Sequence, residues 1–154
     1  MSDQSLQEIH APTTTCFGCG PANPQGLRIR TFIEGDVGVC RFQAEKHHES
    51  FPGAISGGII GSLFDCHCNW TAAHHLMQAN GLDHPPCTVT AEYTVSFKAP
   101  TPSADTVEIR ARVEGASLRR ATVTAEMLAG NTVTATCRAV FVSVKEGHPA
   151  DHRW

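Results

Sequence analysis

Between Glu49 and Asp83 the chain holds one carboxylate, Asp65, and no Lys or Arg occurs between Lys46 and Lys98. An acid alone in an apolar stretch is costly to bury without a partner. It is therefore either a working group or a structural cap or pairing residue. Ser56-Gly57-Gly58 precedes it, with Gly57 eight residues upstream. The glycines serve simple helix-start packing, present open backbone amides, or do both.

The seven cysteines raise other chemistries. Cys16-x-x-Cys19-Gly20 has the shape of half a zinc knuckle, and Cys66-His67-Cys68 adds soft ligands. A structural zinc site wants four ligands, usually as two spaced pairs, and no second C-x-x-C exists. Neighbouring helical residues point about 100° apart, so Cys66, His67 and Cys68 cannot chelate together. No metal and no cofactor is expected. Cys66 and Cys68 have no histidine placed by sequence to activate them, and buried helical thiols are usually inert.

The elements that must position Asp65 follow from periodicity. Ile59, Ile60, Leu63, Phe64, His67, Trp70, Thr71 and His74 share one face of a helix. Gly58, Gly61, Ser62, Asp65, Asn69 and Ala72 form a smaller opposite face, open to close approach by another backbone. Ser56 is the expected N-cap and Gly81 the C′ residue. A strand at Leu27–Ile33 returns through Glu34-Gly35-Asp36 as Val37–Gln43. After Pro85-Pro86, strands are expected at Cys87–Lys98, Thr106–Val113, Arg120–Leu128 and Thr132–Val144, in meander order. One helix covering one antiparallel sheet is an α+β arrangement. Residues 1–15 read as a flexible arm, 16–145 as the single domain and 146–154 as a flexible tail.

A formal charge of −3 gives no reason to expect nucleic acid or an anionic membrane. The first fifteen residues lack a basic start and an apolar run, and the long uncharged stretch is too polar to span a bilayer. An odd cysteine count without an export signal reads as reduced thiols in the cytoplasm.

The segment HESFPGAISGGIIGSLFD, then TVTAEYTVSFKAPTP, resembles the hotdog-fold acyl-CoA thioesterases of the PaaI-like group. The opening CFGCGPANPQGLRIR is similar to that of many members, so the likeness spans Cys16 to Val144. The resemblance implies a curved antiparallel sheet wrapped around a central helix, paired as a homodimer or a dimer of dimers. It assigns the catalytic carboxylate to Asp65, the oxyanion-binding amide to Gly57 with Gly58, and supporting roles to Thr90 and Ser50. Expected contacts to the acyl-CoA are His48, Phe51, Ser56 and Asn69, with Lys98, Arg119 and Arg120 toward the phosphates. Ser56 replaces the family's usual histidine, and Ser50 is shorter than its usual Asn or Gln.

Within that resemblance the chemistry is thioester hydrolysis, with Asp65 as general base on water or as direct nucleophile. Eight residues of helix span about 12 Å, so Gly57 and Asp65 of one chain cannot serve one carbonyl. If both act on the same thioester, they come from different chains related by a two-fold axis. A hotdog sensor or carrier that binds acyl-CoA without cleaving it is the alternative. A hotdog dehydratase is less favoured, because no His-containing catalytic pair is visible.

Overall fold

The computed structural model describes residues 3–154; Met1 and Ser2 lie outside it. Where the sequence suggests a loose arm, a short helix forms, α1 (Leu6–His10). Ser5 and Glu8 cap it reciprocally: Ser5 Oγ accepts from the Glu8 amide at 3.2 Å, and Glu8 Oε2 accepts from the Ser5 amide at 2.7 Å. Leu6 and Gln7 are buried, and Gln7 clamps Thr31 with two hydrogen bonds. The polar composition hid a capping box that was readable as Ser5-x-x-Glu8.

β1 (Phe32–Glu34) and β2 (Val37–Gln43) form the expected hairpin, turning at Gly35 with φ +68°. The first strand is shorter than its apolar pattern suggests. The amides of Leu27 and Ile29 donate to Phe17 and Gly18 carbonyls, each at 2.9 Å. That stretch fastens the Cys16–Gly26 loop instead of pairing with β2. A 3-10 turn (Lys46–His48), β3 (Glu49–Phe51) and β4 (Ala54–Ile55) lead into the long helix α2 (Gly57–Ala79). Both helix ends follow the expected capping. Ser56 Oγ accepts from the Gly58 amide at 3.3 Å. Gly81 takes φ +61°, and Leu82 N–H reaches the Met77 carbonyl at 2.9 Å, a Schellman closure.

β5 (Thr88–Phe97), β6 (Thr106–Ala116), β7 (Arg120–Ala129) and β8 (Thr132–Ser143) complete an antiparallel sheet of order β1-β2-β6-β7-β8-β5. Only β6, β7 and β8 run as a meander. β5 lies beyond β8 at the sheet edge, so the chain crosses from that edge to the sheet's middle before β6. The expected four-strand meander fails at Pro100-Thr101-Pro102. Proline has no N–H for a tight hairpin ladder. Instead the buried Thr101 carbonyl accepts from the Ile55 amide at 2.9 Å, tying the connection to β4.

α2 packs against β2, β5, β6, β7 and β8. Ile60, Leu63, Phe64, His67 and Trp70 are buried as the helical pattern requires, but so are Asn69 and Ala72 from the opposite face. The later turns of the helix are thus enclosed rather than half-covered. Helix and sheet approach closely at Gly38, where an added Cβ would stand 2.2 Å from Thr71 Oγ1. Thr71 cannot yield without losing its 2.9 Å bond to the His67 carbonyl. Gly38→Ala is expected to destabilise the fold by about 1–3 kcal/mol, read as a lower urea midpoint at unchanged slope.

The far end of the chain is not a simple loose tail. Trp154 packs on Trp70 with ring centroids 4.5 Å apart, and Arg153 donates to the Thr88 carbonyl at 3.2 Å.

Candidate functional site

Asp65 lies midway along α2 on the face turned toward β5. Thr90 donates its hydroxyl to Asp65 Oδ1 at 2.6 Å, and the carboxylate is half-buried, with no salt bridge among the described residues. Burial pushes its pKa above the usual carboxylate range. The Thr90 hydrogen bond opposes that shift, nearby Cys16 adds to it, and Arg153 acts against it. The result is an acid that is oriented, partly desolvated and not neutralised by a paired cation.

A separate cleft of about 380 Å³ opens at the start of α2, lined by Ser50, Phe51, Gly57, Ile60, Phe97 and Lys98 among others. Gly57 is exposed there, and as the first helical residue its amide has no intrahelical acceptor. Gly58 differs, because Ser56 Oγ occupies its amide. Within one chain the structure therefore brings together Ser50, Phe51, Gly57 and Lys98 in one place, and Asp65 with Thr90 in another. Eight residues of helix, about 12 Å, separate the two groups.

Other residues singled out by the sequence hold the frame. His48 Nδ1 accepts from the Glu45 amide at 2.9 Å, while its carbonyl accepts from Ser56 N–H at 2.8 Å. It sets the approach to the helix rather than facing the cleft. Asn69 does not reach Asp65; it exchanges hydrogen bonds with Thr88, whose hydroxyl donates at 2.5 Å. Arg119 is engaged with Ser143, donating to its carbonyl at 2.6 Å. Arg119 and Arg120 sit at the Thr88 end of β5, opposite the Lys98 end. The three cations are not gathered at one mouth. A larger groove of about 630 Å³ crosses the outer face of the sheet, where Arg110, Arg112 and Arg138 mix with Glu92 and Glu126. Asp65 does not line it.

The sequence model of the thioesterase superfamily matches residues 52–142, more than half of the 154-residue chain. The chain belongs to that superfamily.

Its sheet and central helix are the hotdog fold of this superfamily. A thioesterase superfamily protein from Shewanella loihica PV-4 is 25% identical, with TM-score 0.65 over 76% of this chain and 91% of that one. The E. coli PaaI protein of the phenylacetic acid degradation operon is 16% identical, with TM-score 0.64 over 77% of this chain and 81% of that one. A phenylacetic acid degradation-related protein from Ralstonia eutropha JMP134, described as a putative thioesterase, is 18% identical with TM-score 0.63, covering 75% and 85%. The last two likenesses establish the fold alone. No curated protein sequence matches the chain. Among the described residues no helix is long and apolar enough to cross a membrane.

Two features of this thioesterase-superfamily chain escaped sequence reasoning. The first is a buried polar line in which Gln7 Nε2 donates to Thr31 Oγ1, Thr31 meets His67 Nδ1 at 2.9 Å, and His67 Nε2 meets the Gly38 carbonyl at 3.0 Å. His67 falls on the apolar face of α2, but its partners lie 29 and 36 residues away and leave no local signal. The second is the company Cys66 keeps. It does not act with Cys68, which faces Cys137, but meets Cys16 and Cys19 of the opening loop. The C-x-x-C spacing marked two of those thiols; only the fold supplies the third.

Proposed function

We propose that the chain is a cytoplasmic acyl-CoA thioesterase acting as a homodimer. The reading is carried by the half-buried Asp65 held by Thr90 at 2.6 Å, with no salt-bridge partner among the described residues. A carboxylate kept for structure alone is normally paired or capping; this one is aimed and left available.

The second half of the site comes from another copy of the chain. Asp65 and the Gly57 amide are too far apart along one helix to serve one carbonyl. β5 is a ten-residue edge strand whose residues Ala91–Thr94 and Ser96–Phe97 are exposed, including the large Tyr93 and Phe97. Such an edge is normally covered. Tyr93 and Phe97 lie against Gly61 and Gly57, so the strand edge and the small face of α2 form one continuous surface. A copy related by a two-fold axis would cover that surface and bring its Gly57 toward Asp65.

In this arrangement the thioester carbonyl oxygen accepts from the Gly57 amide of one protomer. Asp65 of the other takes a proton from water as it adds to the carbonyl carbon. The C–S bond then breaks, the proton passes to the departing thiolate, and a carboxylic acid and coenzyme A are released. Ser50, Phe51 and Lys98 border the same cleft and are assigned to substrate contact.

A panel of acyl-CoA thioesters assayed with a thiol-detecting reagent tests the reading, alongside sedimentation of the same sample. Thiol release by a dimer is the expected result. Binding of acyl-CoA without thiol release would favour a sensor or carrier, a reading to which Ser56 in place of the family histidine lends some weight. A fully active monomer would remove the shared site.

A further inference from the structure

The thiols of Cys16, Cys19 and Cys66 lie within 4.8 Å of one another, and Cys16 Sγ and Cys66 Sγ are 3.9 Å apart. Tetrahedral zinc with Zn–S bonds of about 2.3 Å places its sulfurs about 3.8 Å apart. We propose that Cys16, Cys19 and Cys66 form a three-thiolate site for zinc, with its fourth position open to water. This assignment does not rest on the thioesterase reading.

Four independent features of the cluster point the same way. The ligands come from a turned loop and a helix fifty residues apart, both fixed by packing. Gly18, between the two loop cysteines, lets Cys66 approach: an added Cβ would stand 2.2 Å from its sulfur. A donor is aimed at the buried sulfur, since Trp70 Nε1 donates to Cys19 Sγ at 3.4 Å. N–H groups directed at sulfur favour the thiolate and orient metal ligands. Finally, Cys16 and Cys66 are partly exposed while Cys19 is buried, which gives an ion a path in. On binding, the thiols lose their protons to solvent and ligate as thiolates.

A disulfide is the competing fate of close thiols, but it would use two sulfurs and strand the third. Soft ligands also accept copper(I); the divalent probes below address zinc-type binding. Among the described residues no fourth ligating side chain joins the group. Three protein ligands with an open position is the pattern of zinc sites that exchange their fourth ligand, rather than of closed structural ones.

The test uses the full chain, reduced and stripped of metal, then titrated with Co²⁺ and back-titrated with Zn²⁺. One equivalent of Co²⁺ should give thiolate-to-metal charge-transfer bands and intense tetrahedral d–d bands that Zn²⁺ abolishes. Zinc should also shield Cys16, Cys19 and Cys66 from alkylation, mapped by peptide mass, while the partly exposed Cys87 stays reactive. Cys19→Ser should lose the bands and Cys87→Ser should keep them. Cobalt spectra without thiolate bands, or alkylation unchanged by zinc, would overturn the site. So would failure of the reduced chain to bind either ion while air oxidation links Cys16 to Cys66. Alkylation mapping needs no variant, so a Cys19→Ser chain that fails to fold leaves the test intact.

Discussion

Asp65→Asn is expected to lower acyl-CoA turnover roughly 10³-fold, the scale of a lost general base or nucleophile. The carboxamide keeps the shape of the side chain and an oxygen for the Thr90 hydroxyl, now 2.6 Å from Oδ1. It cannot take a proton from water or attack a carbonyl. The loss should therefore fall on kcat, with KM little changed, because the missing interaction belongs to the transition state. Stability should not fall. Burial already disfavours the charged form of Asp65, and a neutral amide removes that penalty. A variant with wild-type kcat would end the catalytic reading. One that loses both activity and its thermal transition would show Asp65 to be structural.

Replacing His67 should produce the largest loss of stability away from the site. His67→Ala removes a fully buried ring and leaves Thr31 and the Gly38 carbonyl without their partner. Cavity and unpaired polar groups together should cost about 3–5 kcal/mol in denaturant unfolding. The same residue sets an acid dependence. Burial depresses its pKa from 6.5 to about 4, with hydrogen bonds to the Gly38 and Ile109 carbonyls opposing the shift. Above pH 6.5 the ring is neutral in both states and its stabilisation is fully present. As the pH falls below 6.5, the unfolded chain takes up a proton that the folded chain refuses. Stability then drops by about 1.4 kcal/mol per unit until the folded value is reached. The stability difference between the wild type and His67→Gln should thus shrink by roughly 2 kcal/mol from pH 6.5 to 5. A difference independent of pH would show that the folded ring takes up its proton as readily as the unfolded one.

What the sequence made legible was local or strongly patterned. Ser56, Gly81 and the apolar stripe from Ile60 to Trp70 declare α2, because capping and helical period act within a few residues. Asp65 stood out because its neighbours carry no charge. The place of β5 was hidden, since pairing with β8 joins Thr88 to Ser143 across the whole second half of the chain. The two prolines at 100 and 102 hinted that no hairpin follows, but not where the strand would go. Asn69 lies one helical turn from Asp65, a spacing that suits orienting it. Its side chain instead points to Thr88, a contact set by the angle between helix and strand. Cys66 and Cys68 diverge on the helix as helical geometry requires. The meeting of Cys66 with Cys16 was hidden for the same reason as β5, since the two converge only when the opening loop is folded down by Leu27 and Ile29.

The contact between Trp154 and Trp70 makes the protein's own fluorescence a spatially single signal. Both tryptophans of the sequence sit in that one tilted pair, with Trp70 on the central helix and Trp154 at the far end of the chain. Indole emission therefore samples the junction of the terminal residues with the helix and little else. Detachment of those residues would dim or shift nearly the whole signal while the sheet, seen by circular dichroism, stayed intact. An optical melt followed at this wavelength alone would report the parting of that junction as though it were the collapse of the domain.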